Sequence, residues 1–97
     1  MITELYKIRR GEILRNLYRY LPDAAGDDLL ATVFTKDTRS RIQGHLRYLE
    51  SKGYVEFMET NKDYSDAEIM AKITTKGIDL LESSIETDPG IVNAPLE

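Results

Sequence analysis

Thr38 to Val55 reads TRSRIQGHLRYLESKGYV, and the fold turns on how this stretch is read. Laid out at about 100° per residue, Ile42, His45, Leu46, Leu49 and Gly53 fall on one side and Ser40, Gly44 and Arg47 on the other. That is an amphipathic helix. Its outer face is small and polar with arginines around it, the make-up a helix needs to enter a groove lined by phosphates and hydrogen-bonding base edges. Asp37 is placed to cap the first turn and Gly53 to end the helix in a left-handed conformation. Gly53-Tyr54-Val55 then leads directly into a strand.

Upstream, Thr3 caps a first helix running to about Tyr20, where Leu21-Pro22-Asp23 stops it. Tyr6, Ile13, Leu14, Leu17 and Leu21 share one side of it, while Leu5 and Ile8 lie roughly a third of a turn or more away. Two faces need two partners. Either the N-terminal turns fray or bend at Gly11, or Leu5 and Ile8 meet a second subunit. Pro22 to Gly26 reads as a loop, and Asp27 to Phe34 as a short second helix with Asp27 and Asp28 at its positive end. Leu30, Val33 and Phe34 form its expected core face. Thr35-Lys36-Asp37 is a turn of helix-turn-helix length.

Downstream, Tyr54 to Glu59 alternates as a strand with Val55 and Phe57 on one face. Glu68 to Ile73 follows as a second strand, with Ile69, Ala71 and Ile73 inward, and the polar segment Thr60 to Asp66 makes the two a hairpin with a long tip. Thr75 caps a last helix from Lys76 to about Glu86, with Ile78, Leu81 and Ile85 inward and Leu80 on the far side. The reading divides the chain into a domain over 1–86 and an irregular tail over 87–97, the latter ending in Leu96-Glu97, a pair of the kind cloning leaves.

Ninety-seven residues make one domain, burying roughly 60–65% of the unfolded surface. The absence of cysteine removes disulfides and thiolate metal sites. Apolar runs are too short for a membrane span and no signal segment follows Met1, so cytoplasmic residence is expected. The net charge of −4 speaks against a general nucleic-acid coat, but its distribution matters more than its sum. Residues 1–20 and 36–53 each net +3, whereas 21–35 net −3 and 54–97 net −7. Positive charge is therefore segregated onto the first and third helices.

His45-Leu46-Arg47-Tyr48-Leu49-Glu50-Ser51-Lys52-Gly53-Tyr54-Val55 resembles the phrase that ends the recognition helix and enters the wing in MarR-like and PadR-like regulators. Ile73-Thr74-Thr75-Lys76-Gly77-Ile78-Asp79-Leu80-Leu81 is similar to the phrase that leaves the wing and begins the following helix. Together, over about residues 4–86, they resemble the winged helix-turn-helix domain: mainly α with a β-hairpin (α+β), in the order helix, helix, helix, strand, strand, helix. The resemblance implies a transcriptional regulator that places the helix over 38–52 in the major groove of double-stranded DNA. It further implies a homodimer formed through the first and last helices, where Leu5, Ile8 and Leu80 are the apolar residues left over.

Both phrases are structural, so function rests on the exposed positions. Thr38, Arg39, Ser40, Arg41, Gln43, Gly44 and Arg47 are the expected DNA contacts, with Lys62 at the hairpin tip and Arg15 and Arg19 as further phosphate contacts. Arginine can grip guanine O6 and N7 and glutamine can pair with adenine N6 and N7. Gly44 costs about 1 kcal/mol relative to alanine in mid-helix, so something approaches the backbone there, either DNA or a protein segment. The alternative to groove contact is that the arginines only solvate an exposed helix. Glu56 to Glu68 holds five acids and only Lys62, which makes the hairpin a poor DNA ligand and leaves open a second function, a winged-helix protein interaction module.

His45, the lone histidine, reads as structural, with no second imidazole or adjacent nucleophile for zinc or a triad. Asp63, Asp66 and Glu68 lack the spacing of a calcium loop, and no glycine-rich phosphate loop is present. No enzyme activity, metal or cofactor is expected. No convergent polar cluster marks a small-molecule site, so none is expected either.

Overall fold

The computed structural model describes residues 2–61, 63, 66–83, 85 and 87–92. Helix α1 spans Ile2–Tyr20, strand β1 Ala25–Gly26, helix α2 Asp27–Val33, helix α3 Arg39–Ser51, strands β2 and β3 Val55–Met58 and Met70–Ile73, and helix α4 Thr75–Leu81. The described residues thus form an α+β domain, its helices packed on an antiparallel sheet ordered β1-β3-β2. Strand β1 falls where the sequence reads as a loop. Two residues are too short to show a period of two, and Ala25 and Gly26 become a strand only by pairing with Ala71 and Met70.

Helix α3 buries Ile42, His45, Leu46 and Leu49, the stripe expected of it. Its cap is Thr38 rather than Asp37: Thr38 Oγ1 accepts from the Arg41 amide at 3.1 Å, while the Asp37 carboxylate accepts from Arg9 Nε at 2.7 Å. Gly53, with φ +83°, closes the helix as expected. The following helix begins one residue early, capped by Thr74 rather than Thr75. The Thr74 hydroxyl accepts from the Gly77 amide at 3.2 Å and donates to the Gly53 carbonyl at 2.6 Å, tying the start of α4 to the end of α3.

The core gathers Ile13, Leu14 and Leu17 of α1, Leu30 and Phe34, the α3 stripe, Val55, Ala71 and Ile73 of the sheet, and Leu80 and Leu81 of α4. Leu80 is thus inside, not on the far side of its helix. The reason is Gly77: a Cβ there would overlap the Tyr54 carbonyl and the Ile73 side chain, so α4 rolls onto its glycine side and buries Gly77, Leu80 and Leu81 together. Ile85 lies beyond the helix end and is exposed. Val33, expected in the core, is 44% exposed, and Phe57, expected on one strand face with Val55, is 40% exposed. Phe57 does share a face with Val55, since the two oppose Ala71 and Ile73.

Residues 87–92 carry neither helix nor strand, yet they are docked. Ile91 is buried, the Val92 amide donates to the Lys7 carbonyl at 3.0 Å, and Arg10 Nη1 donates to the Gly90 carbonyl at 3.1 Å. Asp88 accepts from the Tyr54 hydroxyl at 2.8 Å and from the Gly90 amide at 2.8 Å. Helix α1 runs unbroken through Gly11. That glycine marks the crossing of this strap, because a Cβ would overlap the Val92 carbonyl. Leu96-Glu97 lies outside the described residues.

Candidate nucleic-acid interface

The α2–turn–α3 unit sets the outward face of α3. At about 100° per residue, Ser40, Gly44 and Arg47 stand within roughly 60° of one another, Arg41 flanks them on one side and Gln43 on the other. Ser40, Arg41, Gly44 and Arg47 are all exposed. Among the described residues, nothing beyond its chain neighbours and the helix's own backbone lies within 4 Å of where a Gly44 Cβ would be. The Arg41 guanidinium lies 5.3 Å from the centroid of the Tyr6 ring. The Arg47 side chain makes no hydrogen bond or ion pair among the described residues.

Arg39 and Gln43 are placed differently from their expected roles as phosphate and base contacts. Arg39 Nε donates to Asp27 Oδ2 at 2.9 Å and Arg39 also donates to the Asp66 carbonyl. Gln43 Nε2 donates to Asp27 Oδ2 at 2.6 Å and to Glu68 at 3.1 Å. Both side chains are thus held inside the protein's own polar network. Thr38 is exposed, its hydroxyl committed to the cap. Lys62 lies outside the described residues.

Asp27 organises that network, and sequence reasoning missed it. Its carboxylate, fully buried, also accepts from the Glu68 amide at 2.9 Å and the Ile69 amide at 3.2 Å. Burial pushes its pKa up, but the donors from Arg39, Gln43 and the two amides outweigh that and hold the carboxyl well below the usual carboxylate range. The only signal in the sequence is an acid directly after Gly26 at a helix start, which reads equally as a dipole-matched surface residue.

His45 is buried edge-on to Tyr6 with ring centroids 5.4 Å apart, and its Nε2 has no hydrogen-bond partner among the described residues. Desolvation, with the Arg10 charge next, holds its pKa below the ordinary value. Among the described residues no group of three His, Cys, Asp or Glu is placed to hold a metal ion, and no helix is long and apolar enough to cross a membrane.

Of the three apolar residues expected at a subunit contact, Leu80 is 1% exposed and unavailable. Leu5 and Ile8 are exposed, and they line a cleft with Arg9, Lys36, Asp37 and Arg41. Comparison of the chain with protein-family models, with curated proteins and with solved structures finds no match.

Proposed function

We propose that the chain is a winged helix-turn-helix DNA-binding regulator acting in the cytoplasm, with α3 as the element that enters the major groove. The observation that carries this reading is the clear outer face of α3: among the described residues nothing outside the helix crowds Gly44, the Arg47 side chain is exposed and without an ion pair, and the Arg41 guanidinium lies over the Tyr6 ring. A bare glycine between two unpaired arginines is suited to a partner that presses on the backbone and carries negative charge. Ser40, Arg41, Gly44 and Arg47 are the contacts; Arg39 and Gln43 tie the helix to Asp27 of α2 and to the segment just ahead of β3 instead. So few cations give weak, salt-sensitive binding from one copy, and two copies on neighbouring half-sites supply the affinity. With Leu80 in the core, Leu5 and Ile8 alone fall far short of the roughly 800 Å² per partner of a stable interface, so pairing is not assigned to them.

Fluorescence anisotropy with a labelled mixed-sequence duplex at rising salt tests the reading. Arg47→Ala weakens binding, and Arg41→Ala flattens the slope of log affinity against log salt by about one unit. A second reading, a protein interaction module, draws on the engagement of Arg39 and Gln43 by an acidic network that includes Glu68, just ahead of β3. Absence of duplex binding at low salt would select it.

A further inference from the structure

Leu5, Tyr6 and Ile8 on α1 face Lys36 of the turn and Arg41 of α3 across a cleft of about 460 Å³. The volume falls within the range of small-molecule sites, roughly 300–1,000 Å³, and the walls are mainly apolar. Its charges sort into two sets. Glu12 and Asp37 are both engaged by Arg9, at 2.8 Å and 2.7 Å, so these three carry one net negative charge between them, and with Lys36 and Arg41 the lining is net positive by one. Lys36 and Arg41 have no acidic partner among the described residues. An apolar floor with two cations that lack an ion-pair partner, in a lining of net charge +1, is complementary to one kind of ligand. A cation would meet Lys36 and Arg41, and a neutral apolar molecule would leave both charges unanswered. A second copy of the chain meeting this one about a two-fold axis at the cleft would set the same cations against each other.

We propose that this cleft binds a small amphipathic anion, with its acidic headgroup between Lys36 and Arg41 and its apolar body on Leu5, Ile8 and the Tyr6 ring. Because Arg41 also belongs to the outer face of α3, ligand and duplex compete for one guanidinium. This second half of the inference rests on the DNA-binding reading; the first does not. The sequence hides the site because Leu5 and Ile8 stand about thirty residues from Lys36 and Arg41 and converge only through the packing of α1 on α3.

Anilinonaphthalene sulfonate, an aromatic monoanion whose emission rises in apolar surroundings, is the probe. Titration of the intact chain gives saturable enhancement at one site per chain. Ile8→Glu, an exposed position whose change spares the core, lowers the affinity by roughly tenfold or more, since an apolar contact is lost and a like charge gained. Lys36→Gln lowers it by about threefold, and Phe57→Ser, on an exposed apolar residue elsewhere, leaves it unchanged. Loss of binding in Phe57→Ser, or full binding in Ile8→Glu, overturns the site. Unlabelled duplex DNA displaces the probe; a protein that binds both at once overturns the competition, while one that binds the probe and never binds DNA overturns the DNA-binding reading and leaves the cleft standing.

Discussion

Arg39 Nε lies 2.9 Å from Asp27 Oδ2, joining the first residue of α3 to the first residue of α2. The same carboxylate accepts the Glu68 and Ile69 amides just before β3 begins, so one buried acid fixes the angle between two helices and their position on the sheet. Arg39 keeps 38% of its side chain in solvent, whereas Asp27 has none of its own exposed, and the energetic weight therefore sits on the acid.

Asp27→Asn tests that weight. Loss of the charge leaves Arg39 able to re-solvate, which places the cost at the low end for a buried pair, about 2–3 kcal/mol in urea unfolding at neutral pH. The wild-type contribution has a definite pH window. Because the folded pKa lies below the unfolded one, it is complete above the ordinary Asp value, near pH 4, and fades as pH falls below it. The variant should show a flatter acid limb; an unchanged limb would remove Asp27 from the centre of the network.

Two helical glycines should respond to alanine with opposite signs. Gly44→Ala meets open space, so helix propensity dominates and stability rises by about 0.5–1 kcal/mol, while duplex affinity falls if the proposed function holds. Gly11→Ala has the same propensity gain but drives a Cβ into the Val92 carbonyl, and displacing the strap costs a net 1–2 kcal/mol or so. Thermal melts of the two variants give the signs directly.

The strap itself should carry stability out of proportion to its length. Ile91 is 4% exposed against the core, so Ile91→Ala should cost about 2–4 kcal/mol. Tyr54, buried and hydrogen-bonded to the Asp88 carboxylate, has its pKa pushed up to about 12. Asp88→Asn removes the second cause but not the first, so an absorbance titration should show Tyr54 ionising earlier yet still above an ordinary tyrosine.

His45 gives the chain a second pH dependence. Burial, then the Arg10 charge, depresses its folded pKa, with Asp37 opposing and Arg41 and Arg9 adding to the effect. The unfolded chain therefore binds the proton more readily. Stability is complete above about pH 6.5 and declines as pH falls, by no more than about 1.4 kcal/mol per pH unit. Denaturation midpoints between about pH 7.5 and 5 should show this slope, and His45→Leu should abolish it.

How much of this was legible in the chain follows from the range of the forces involved. The α3 stripe from Ile42 to Leu49, the left-handed Gly53 and the pairing of the two longer strands were all readable, because helix periodicity, turn chemistry and strand alternation depend on neighbours within a few residues. Capping was legible only to within a residue: Asp37 is as good a cap as Thr38 until Arg9, 28 positions away, claims its carboxylate. The same limit governs the site. That α3 would carry arginines on a small polar face was written in its letters, whereas Asp27 withdraws Arg39 and Gln43 across separations of 12 and 16 residues. Leu80 went inward because Gly77 admits the Tyr54 carbonyl, and residues 88–92 were ordered because Gly11 leaves room for them to cross α1. Local spacing determined the longer elements and the buried stripe of α3; only the packed fold, where groups distant in the chain come within reach, decided the short strand at Ala25–Gly26, the buried face of α4 and which side chains of α3 stay free for a partner.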